Sequence, residues 1–507
     1  MPEQYDVVVV GAGFGGSILA ARIAERGVNP RNGEKLRIAL MDMGPYLKGD
    51  PHPGYGIPLR RGAFANVPGI DDTVALGVTP WGTAAGIGGQ SNHWGCNVSL
   101  PTEEDHEDWV NETGVDWTYD RFTDARTEVT EMFHVTRQPE ELLAPGSIRF
   151  REVAAQMGYK PYRHPMAVIN CIQCGHCAEK GCKYDSKGST LINYIPLAER
   201  NGVEILPNTV VEKVILEKRG TAVVAKGVVY SRGRKTEVAR ADHVILSCNS
   251  VGTQRLLFKS GYGPREKVGD LIVENRNVGR SDSIETLNLM WGVFEEPVKR
   301  ADFGQNSGYM FEVRGPNGYM NIDLSELFGF HGFIGNYLYQ LAINDIAPDF
   351  GREHKQYMKQ WRHIGGISCH VNRVRNASGE LILDKNHPDV LKRTNDVKAL
   401  AREVMLKMGA RRTTAVQSSA VTEPMAGGAR VPGVGTIPPS ETGRGTCRAG
   451  SDRRNSVINS DFECHDIENL LICDNSVVPA TGAGGAVTAY VSCHAWRRIV
   501  AKRFSRA

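Results

Sequence analysis

The chain has 507 residues, which is too long for one simple core, so we expect two or three domains. Charged residues make up 23%, and the formal net charge is +3 with no basic block, which excludes the strongly basic surface of nucleic-acid-binding proteins. No run approaches the ~20 apolar residues of a membrane span, and no signal peptide pattern precedes the first strand. We therefore expect a cytoplasmic protein without a membrane span, in which cysteines are ligands, catalytic thiols or core residues.

The first predicted unit along the chain is a strand, a glycine-rich loop, a helix and a second strand. Residues 6–10, DVVVV, are typical of a strand buried on both faces of a parallel sheet. A GxGxxG loop and a helix-spaced apolar segment follow, and a second strand, IALMD, ends at Asp42. Gly11, Gly13 and Gly16 allow a pyrophosphate to approach the helix N-terminus, and Asp42 suits the ribose hydroxyls.

The middle of the chain predicts a second kind of sheet. Strands that extend the nucleotide domain are predicted at residues 202–218, 221–231 and 241–248. Residues 285–375 contain further strand-like stretches, among them GYMFEVRG and GISCHVNRVR, which predict an inserted antiparallel sheet. An amphipathic helix is predicted at residues 394–409 and a Gly/Pro-rich loop at 424–446.

The C-terminal segment predicts a strand, a turn and a Gly-rich loop in DIENLLICDNSVVPATGAGG, followed by a last helix over residues 486–504. This order places a second helix N-terminus beside a ligand, where its partial positive charge favours an anion.

These pieces together resemble the glucose–methanol–choline (GMC) oxidoreductases, a family of FAD enzymes. The N-terminal GAGFGGS with Asp42 is similar to the family's FAD-binding start, and GIGGQSNHWG to its second glycine-rich signature beside the flavin. Further similar segments follow in family order at residues 243–261, 277–280, 445–450 and 469–482. The resemblance implies an α/β fold, with a Rossmann-like FAD-binding domain and an inserted substrate domain built on an antiparallel sheet. It also implies FAD as the cofactor and adds four cofactor-binding residues: Gly89, Ser91, Val211 and Asp474.

The same resemblance divides the chain into domains. The FAD-binding domain is expected in three parts, at residues 1–120, 195–283 and 441–507. A helical and cysteine-rich segment is expected over residues 121–194, and the substrate domain over residues 284–440.

The usual catalytic pair of the family is missing from this sequence. The position that usually carries a catalytic His is Thr442, and the second catalytic position falls at about Gly485. Neither residue is a base for a hydroxyl proton, so another histidine is expected to serve. The predicted candidates are His363 and His370 in WRHIGGISCH, with His331, His465 and His494 as further candidates.

His93 is predicted to contact the flavin. It lies in SNHW, and a His in a similar stretch of pyranose-oxidase-like members is covalently joined to the flavin. Two interpretations stay open for His93: covalent attachment of FAD, or packing and hydrogen bonding against the flavin ring.

Four cysteines crowd into CIQCGHCAEKGC with the spacing C-x2-C-x2-C-x4-C. Such spacing is typical of thiolates around an iron–sulfur cluster, so Cys171, Cys174, Cys177 and Cys182 are predicted to ligate [4Fe–4S]. A structural zinc ion, or no metal at all, stays open. The segment is similar to one in bacterial cholesterol-oxidase-like and sugar- or polyol-dehydrogenase members, which carry a comparable cysteine run before a Lys and a Ser/Thr.

The sequence therefore predicts an FAD-dependent dehydrogenase that oxidises a hydroxyl of a sugar, polyol, sterol or related ring by hydride transfer to flavin. Electrons would leave through the cluster to an electron-carrier protein or a small subunit. The first alternative is flavin chemistry other than alcohol oxidation, such as C=C reduction, desaturation, isomerisation or elimination, because the usual His/Asn pair is absent. The second is a non-catalytic subunit that relays electrons.

Overall fold

The computed structural model describes residues 3–46, 85–92, 94, 96–172, 182, 184–280, 286–298, 307–315, 318–325, 351–384, 386–417, 444–479 and 486–505. No helix within these ranges is long and apolar enough to cross a membrane.

Seventeen strands are found in the described ranges. They are β1 Glu3–Val10, β2 Ile38–Met41, β3 Val135–Arg137, β4 Tyr162–Arg163, β5 Pro165–Ala167, β6 Glu204–Leu206, β7 Thr209–Arg219, β8 Ala222–Arg232, β9 Lys235–Leu246, β10 Tyr262–Gly263, β11 Val273–Glu274, β12 Thr286–Phe294, β13 Ser307–Gly315, β14 Gly318–Ser325, β15 Ile364–Val374, β16 Ala410–Gln417 and β17 Leu470–Ile472.

Ten α-helices accompany these strands in the same ranges. They are α1 Phe14–Arg26, α2 Glu103–Thr113, α3 Thr123–Met132, α4 Pro145–Gln156, α5 Thr190–Asn193, α6 Ile195–Arg200, α7 Asn249–Lys259, α8 Arg352–Lys359, α9 Pro388–Lys407 and α10 Val487–Arg503.

The larger sheet contains the strands that the sequence predicts for the dinucleotide-binding unit. Its strand order is β6-β2-β1-β9-β8-β7, and β17 pairs with the last part of β9. Strands β6, β2, β1, β9 and β17 are parallel, whereas β8 and β7 complete the sheet as an antiparallel extension. The carboxyl ends of β2, β1, β9 and β17 therefore lie side by side, which is where open α/β sheets bind their ligands.

Burial explains why the chain folds locally as the sequence predicts. Val7, Val8 and Val9 of β1 have no exposed surface, as expected for a strand covered on both faces. Helix α1 buries Ile18 and Ile23, and the turn after it is fixed by a 2.9 Å hydrogen bond from the Val28 amide to the Phe504 carbonyl beyond α10. The first and last helices of the nucleotide domain are thereby joined.

The second sheet has the order β16-β12-β15-β14-β13-β4, and all its pairs are antiparallel. Helix α9 covers one face, where Ile367, Cys369 and Val371 of β15 share a core with the apolar stripe of the helix. The helix begins six residues earlier than the predicted 394–409, because Pro388 suits its first turn and the His387 ring accepts a hydrogen bond from the Asp389 amide. The predicted combination of a Rossmann-like sheet and an antiparallel sheet is confirmed.

A buried ion network fastens the second sheet to helix α2. Arg373 of β15 is 1% exposed, and its guanidinium contacts Asp105 Oδ1 at 2.6 Å and Asp108 Oδ2 at 2.5 Å. Glu104 Oε2 lies 2.7 Å from the same guanidinium, and Arg375 also pairs with Asp108. Burial raises the pKa of the Asp105 carboxyl, and the Arg373 charge opposes this rise.

Candidate flavin site

The first glycine loop closes tightly between β1 and α1. A Cβ atom at Gly11 would lie 2.3 Å from the Ser247 carbonyl oxygen, and one at Gly16 would lie 1.8 Å from the Gly11 carbonyl oxygen. No larger residue fits at either position without a shift of backbone. Gly13 forms the N-cap of α1 without a side-chain cap, so backbone amides face the site at this helix end. These three glycines support the predicted approach of a pyrophosphate.

Asp42, directly after β2, has a structural role besides the predicted contact with ribose. Its carboxylate accepts three backbone hydrogen bonds, from Ala12 at 2.8 Å, Gly44 at 2.9 Å and Gly86 at 2.8 Å. Burial raises the pKa of this carboxyl, and the three amides oppose the rise. Asp42 therefore ties the first glycine loop to the second glycine-rich segment, a contact that the sequence did not reveal.

The second glycine-rich segment lies directly on the first loop. The Gly88 amide donates to the Ala12 carbonyl at 2.8 Å, and a Cβ at Gly89 would lie 2.6 Å from the Gly13 Cα. Residues Gly89–Asn92 form a short 3₁₀ helix. Ser91 has no exposed surface, and its hydroxyl donates to the Gly88 carbonyl at 2.6 Å. We infer that Ser91 shapes this segment from inside, and its predicted contact with the cofactor stays a prediction.

A third group of segments meets at the carboxyl ends of β9 and β17. Asp474 follows β17 and accepts hydrogen bonds from the Thr253 hydroxyl at 2.6 Å and the Ser476 amide at 2.8 Å. The Gly279 amide donates to the Thr446 carbonyl at 2.7 Å, which joins two of the motifs that the family resemblance singled out. Val211 lies half-buried in β7.

Two observations test whether these residues fit FAD. Three glycine-rich or acidic loops converge at one edge of the parallel sheet, with contacts too close for side chains at Gly11, Gly16 and Gly89. In the same region Asn92 Oδ1 and Asn97 Oδ1 are buried without a hydrogen-bond partner in the described part of the chain. Backbone that admits a ligand closely, together with unused acceptors, suits a large polar cofactor. The residues fit the dinucleotide.

The structure does not bring the two predicted catalytic histidines together. His363 ends a short 3₁₀ helix before β15, and its Nδ1 lies 2.8 Å from the Glu295 carbonyl oxygen. His370 lies in the middle of β15, in register with Leu287 of β12 and Asn321 of β14. An extended strand separates the two residues by roughly 20 Å, so one active site cannot use both. His370 alternates with Cys369 and Val371, which face α9, and therefore belongs to the opposite face of the sheet.

The remaining histidines divide into two groups. His465 Nε2 lies 3.0 Å from both the Ser456 hydroxyl and the Gly450 carbonyl oxygen, and His494 stacks on Phe122 with ring centroids 3.9 Å apart. Burial lowers the pKa of His494 to about 3, and its position inside the core excludes contact with a substrate. His93, His331, Thr442 and Gly485 lie outside the described residues, so the predictions for them stay untested.

Two of the four clustered cysteines, Cys171 and Cys182, are described, while Cys174 and Cys177 lie outside the described residues. The flanks of the segment pair as a hairpin: Val168 bridges Lys187, and the Ile169 amide donates to the Ser186 carbonyl at 2.9 Å. Among the described side chains, no group of three or more could hold a metal ion. The predicted cluster is therefore not supported by this part of the chain.

The hairpin continues into contacts with the second glycine-rich segment. The Trp94 Nε1–H donates to the Gly188 carbonyl at 2.9 Å, and the Thr190 amide donates to the Ser91 hydroxyl at 2.9 Å. Trp94, Gly188 and Thr190 are not among the site residues predicted from the sequence. The only indication of them in the sequence is the Lys and the Ser/Thr that follow the cysteine run, as in similar proteins.

Comparison with known proteins identifies relatives over most of the chain. The family model described as GMC oxidoreductase matches residues 6–278 with its N-terminal part and residues 436–495 with its C-terminal part. A cholesterol oxidase of Mycobacterium tuberculosis is 26% identical over 51% of this chain, and the chain covers 48%, about half, of that relative. The 6'''-hydroxyparomomycin C oxidase of Streptomyces lividus is 22% identical over 97% of this chain and 90% of its own.

Solved structures agree on the fold. Pyridoxine 4-oxidase from Mesorbium loti superposes with a TM-score of 0.63 at 16% identity, covering 97% of this chain and 99% of its own. An FAD-dependent oxidoreductase from Chaetomium thermophilum gives a TM-score of 0.61 at 16% identity, and the superposition covers 99% of this chain and 100% of that protein. Members of the matched family bind FAD. The fold, the converging loops and the matched segments together show that this chain belongs to the GMC oxidoreductases, a family of FAD-binding oxidoreductases.

Proposed function

We propose that the protein is an FAD-dependent dehydrogenase that oxidises a hydroxyl group on a sugar, polyol, sterol or related ring compound. The observation that carries this proposal is the convergence of the Gly11–Gly16 loop, Asp42 and Asp474 at one edge of the parallel sheet. Relatives named as a cholesterol oxidase and as a long-chain-alcohol oxidase of Arabidopsis thaliana (23% identical over 95% of this chain) support an alcohol or sterol substrate.

The chain's own residues would divide the work in the following way. The α1 amides and the three glycines would hold the pyrophosphate, and Asp42 would bind ribose while fixing the second loop. Bound flavin supplies a two-electron acceptor for the hydride of the substrate carbon. A base must remove the hydroxyl proton, and we assign this role to His370, which lies half-buried in the centre of the antiparallel sheet on the face opposite α9.

The test is anaerobic reduction of the bound flavin by a panel of alcohols, followed by absorbance in a stopped-flow instrument. We expect one class of alcohol to bleach the flavin, and His370→Asn to slow the reduction at least ~100-fold, since general base catalysis contributes about 10²–10⁴. His363→Asn is the matched control and should reduce at close to the wild-type rate. If no alcohol bleaches the flavin, the proposed function is wrong; if both variants react normally, His370 is not the base.

The alternative function is flavin chemistry on a C=C bond or a related elimination. The absence of a base at Thr442 and Gly485 favours it, because such reactions do not need the usual hydroxyl base. Turnover of an enone by chemically reduced enzyme, with no flavin bleaching by any alcohol, would select this alternative.

We also propose that His93 is the attachment point of FAD. Acid precipitation should then leave the yellow colour in the pellet of the wild type, and His93→Ala should release it to the supernatant. Release of all FAD from the wild type would exclude the bond and leave packing against the ring as the role of His93.

For the route of electrons, we propose a [4Fe–4S] cluster on Cys171, Cys174, Cys177 and Cys182, in a reducing cytoplasm, that passes electrons to a carrier protein or a small subunit. Support comes from the cysteine spacing and from the paired flanks of the segment. The anaerobic sample used for flavin reduction should contain iron and acid-labile sulfide, and Cys174→Ser should lose both. Zinc without sulfide would make the segment a structural metal site.

A further inference from the structure

The last residue of the cysteine hairpin, Lys187, and the three residues after it run along the second glycine-rich segment. The Lys187 ammonium donates to the Asn92 carbonyl at 3.2 Å, the Gly188 carbonyl accepts from the Trp94 ring, and Thr190 contacts Ser91. Each contact joins parts of the chain about a hundred residues apart. Residues 187–190 therefore form a strap, as we name this segment, across residues 88–92 and 94.

Within the strap, Thr190 makes three contacts with Ser91 and Gly88. The Thr190 amide donates to the Ser91 hydroxyl, and the two hydroxyl oxygens lie 2.9 Å apart. The Thr190 hydroxyl also donates to the Gly88 carbonyl at 3.2 Å. Two hydroxyls thus hold the carbonyl of Gly88, a residue whose φ is +95°. The Gly88 amide is bound to the Ala12 carbonyl in the first loop, so Gly88 is held by the first loop at its amide and by Thr190 at its carbonyl.

Lys187 places a positive charge at the same segment. Its side chain is 1% exposed, and lysines are seldom so fully buried. The ammonium contacts the carbonyl of Asn92, whose own Oδ1 is a buried acceptor without a partner among the described residues. Burial raises the pKa of the Cys96 thiol to about 11, and the charge of the same ammonium opposes this rise.

We propose that Lys187 and Thr190 are positioning residues for the cofactor. Their hydrogen bonds fix the orientation of the Asn92 and Gly88 carbonyls. Through these two peptide groups they hold the second glycine-rich segment in the conformation that binds FAD. The proposal rests on the proposed function only in taking FAD as the ligand. It also implies that the cysteine hairpin is mechanically joined to the flavin site, since Lys187 bridges Val168 in the hairpin.

The experiment measures FAD binding by fluorescence titration of the apoprotein. All proteins carry His93→Ala, so that no covalent bond masks a change of affinity. Thr190→Val is expected to raise the FAD dissociation constant about tenfold, the usual size of one lost hydrogen bond, and Lys187→Met by at least as much. Thr190→Ser should restore the wild-type constant, and the visible spectrum of bound flavin should shift in Thr190→Val but not in Thr190→Ser.

Thr394→Val is the matched control, because Thr394 is a buried threonine whose hydroxyl donates to the Val390 carbonyl within α9. It should leave FAD affinity and spectrum unchanged even where it lowers stability. Ser91→Ala tests the same contact from the other side and serves if Thr190→Val does not fold. Wild-type affinity and spectrum in Thr190→Val, or in Ser91→Ala, would overturn the proposal. A protein that binds FAD normally but oxidises no alcohol would refute the proposed function and leave the strap standing.

Discussion

Replacing Arg373 by methionine is expected to lower the free energy of unfolding by about 3–5 kcal/mol, the cost of leaving a buried charge unpaired. Methionine keeps most of the volume, so the loss would come from charge rather than from packing. Asp105 and Asp108 are 2% and 3% exposed; in the variant Asp105 loses its guanidinium contact, and Asp108 keeps only its contact with Arg375. Chemical denaturation at pH 7 followed by tryptophan fluorescence measures the effect.

The pH dependence separates this explanation from a packing defect. Without Arg373, burial should hold the pKa of Asp105 above its unfolded value, so the protonated form is favoured in the folded state. The stability deficit should then be small below the unfolded pKa of ~3.9 and should grow as the pH rises through the folded pKa. Arg314→Met, which removes an exposed ion pair to Glu104 from the same sheet, should cost about 0–1 kcal/mol. A deficit independent of pH would contradict the buried-charge argument.

Asp42→Ala is expected to weaken FAD binding by at least ~100-fold. Hydrogen bonds to a charged group contribute about 1.5–3 kcal/mol each, and three backbone amides lose their acceptor in this variant. The flavin content of the purified protein gives a first measure. Titration of the apoprotein, in the His93→Ala background, gives the dissociation constant.

Two comparisons make this result interpretable. Asp6→Ala removes a carboxylate in the middle of β1 that accepts the Arg37 amide at 2.7 Å, and it should leave FAD binding unchanged. If Asp42 ties loops together as well as contacting ribose, Asp42→Ala should destabilise the apoprotein too. An apoprotein as stable as the wild type would restrict Asp42 to the ribose, and full flavin content in the variant would refute both roles.

Local patterns explain which parts of this fold could be predicted from the sequence. The strand, loop, helix and second strand over residues 6–42 follow from unbroken apolar runs, from helix-spaced apolar residues and from glycines at fixed offsets, and the structure agrees. The position of Asp42 could be predicted in the same way. The amides of Ala12 and Gly86 that donate to it could not be predicted, because they depend on the packing of loops that are distant in sequence.

The predicted base illustrates a different limit. His363 and His370 are separate candidates for one base, and their closeness in sequence does not make them neighbours in space, because an extended strand rises about 3.3 Å per residue. The alternation of Ile367, Cys369 and Val371 in GISCHV was enough to assign His370 to the opposite face. The Thr190–Ser91 contact, by contrast, spans 99 positions, and only the tertiary structure reveals it.

The strand order of the parallel sheet has a consequence for synthesis on the ribosome. Strand β1 pairs with β9, β9 pairs with β17, and the turn after α1 is closed by the Phe504 carbonyl. The cofactor pocket therefore cannot close until nearly the whole chain has emerged. Until then the apolar faces of β1 and α1 lack their final packing partners. During this period a long chain with many contacts between distant residues is most prone to aggregate and depends most on chaperones.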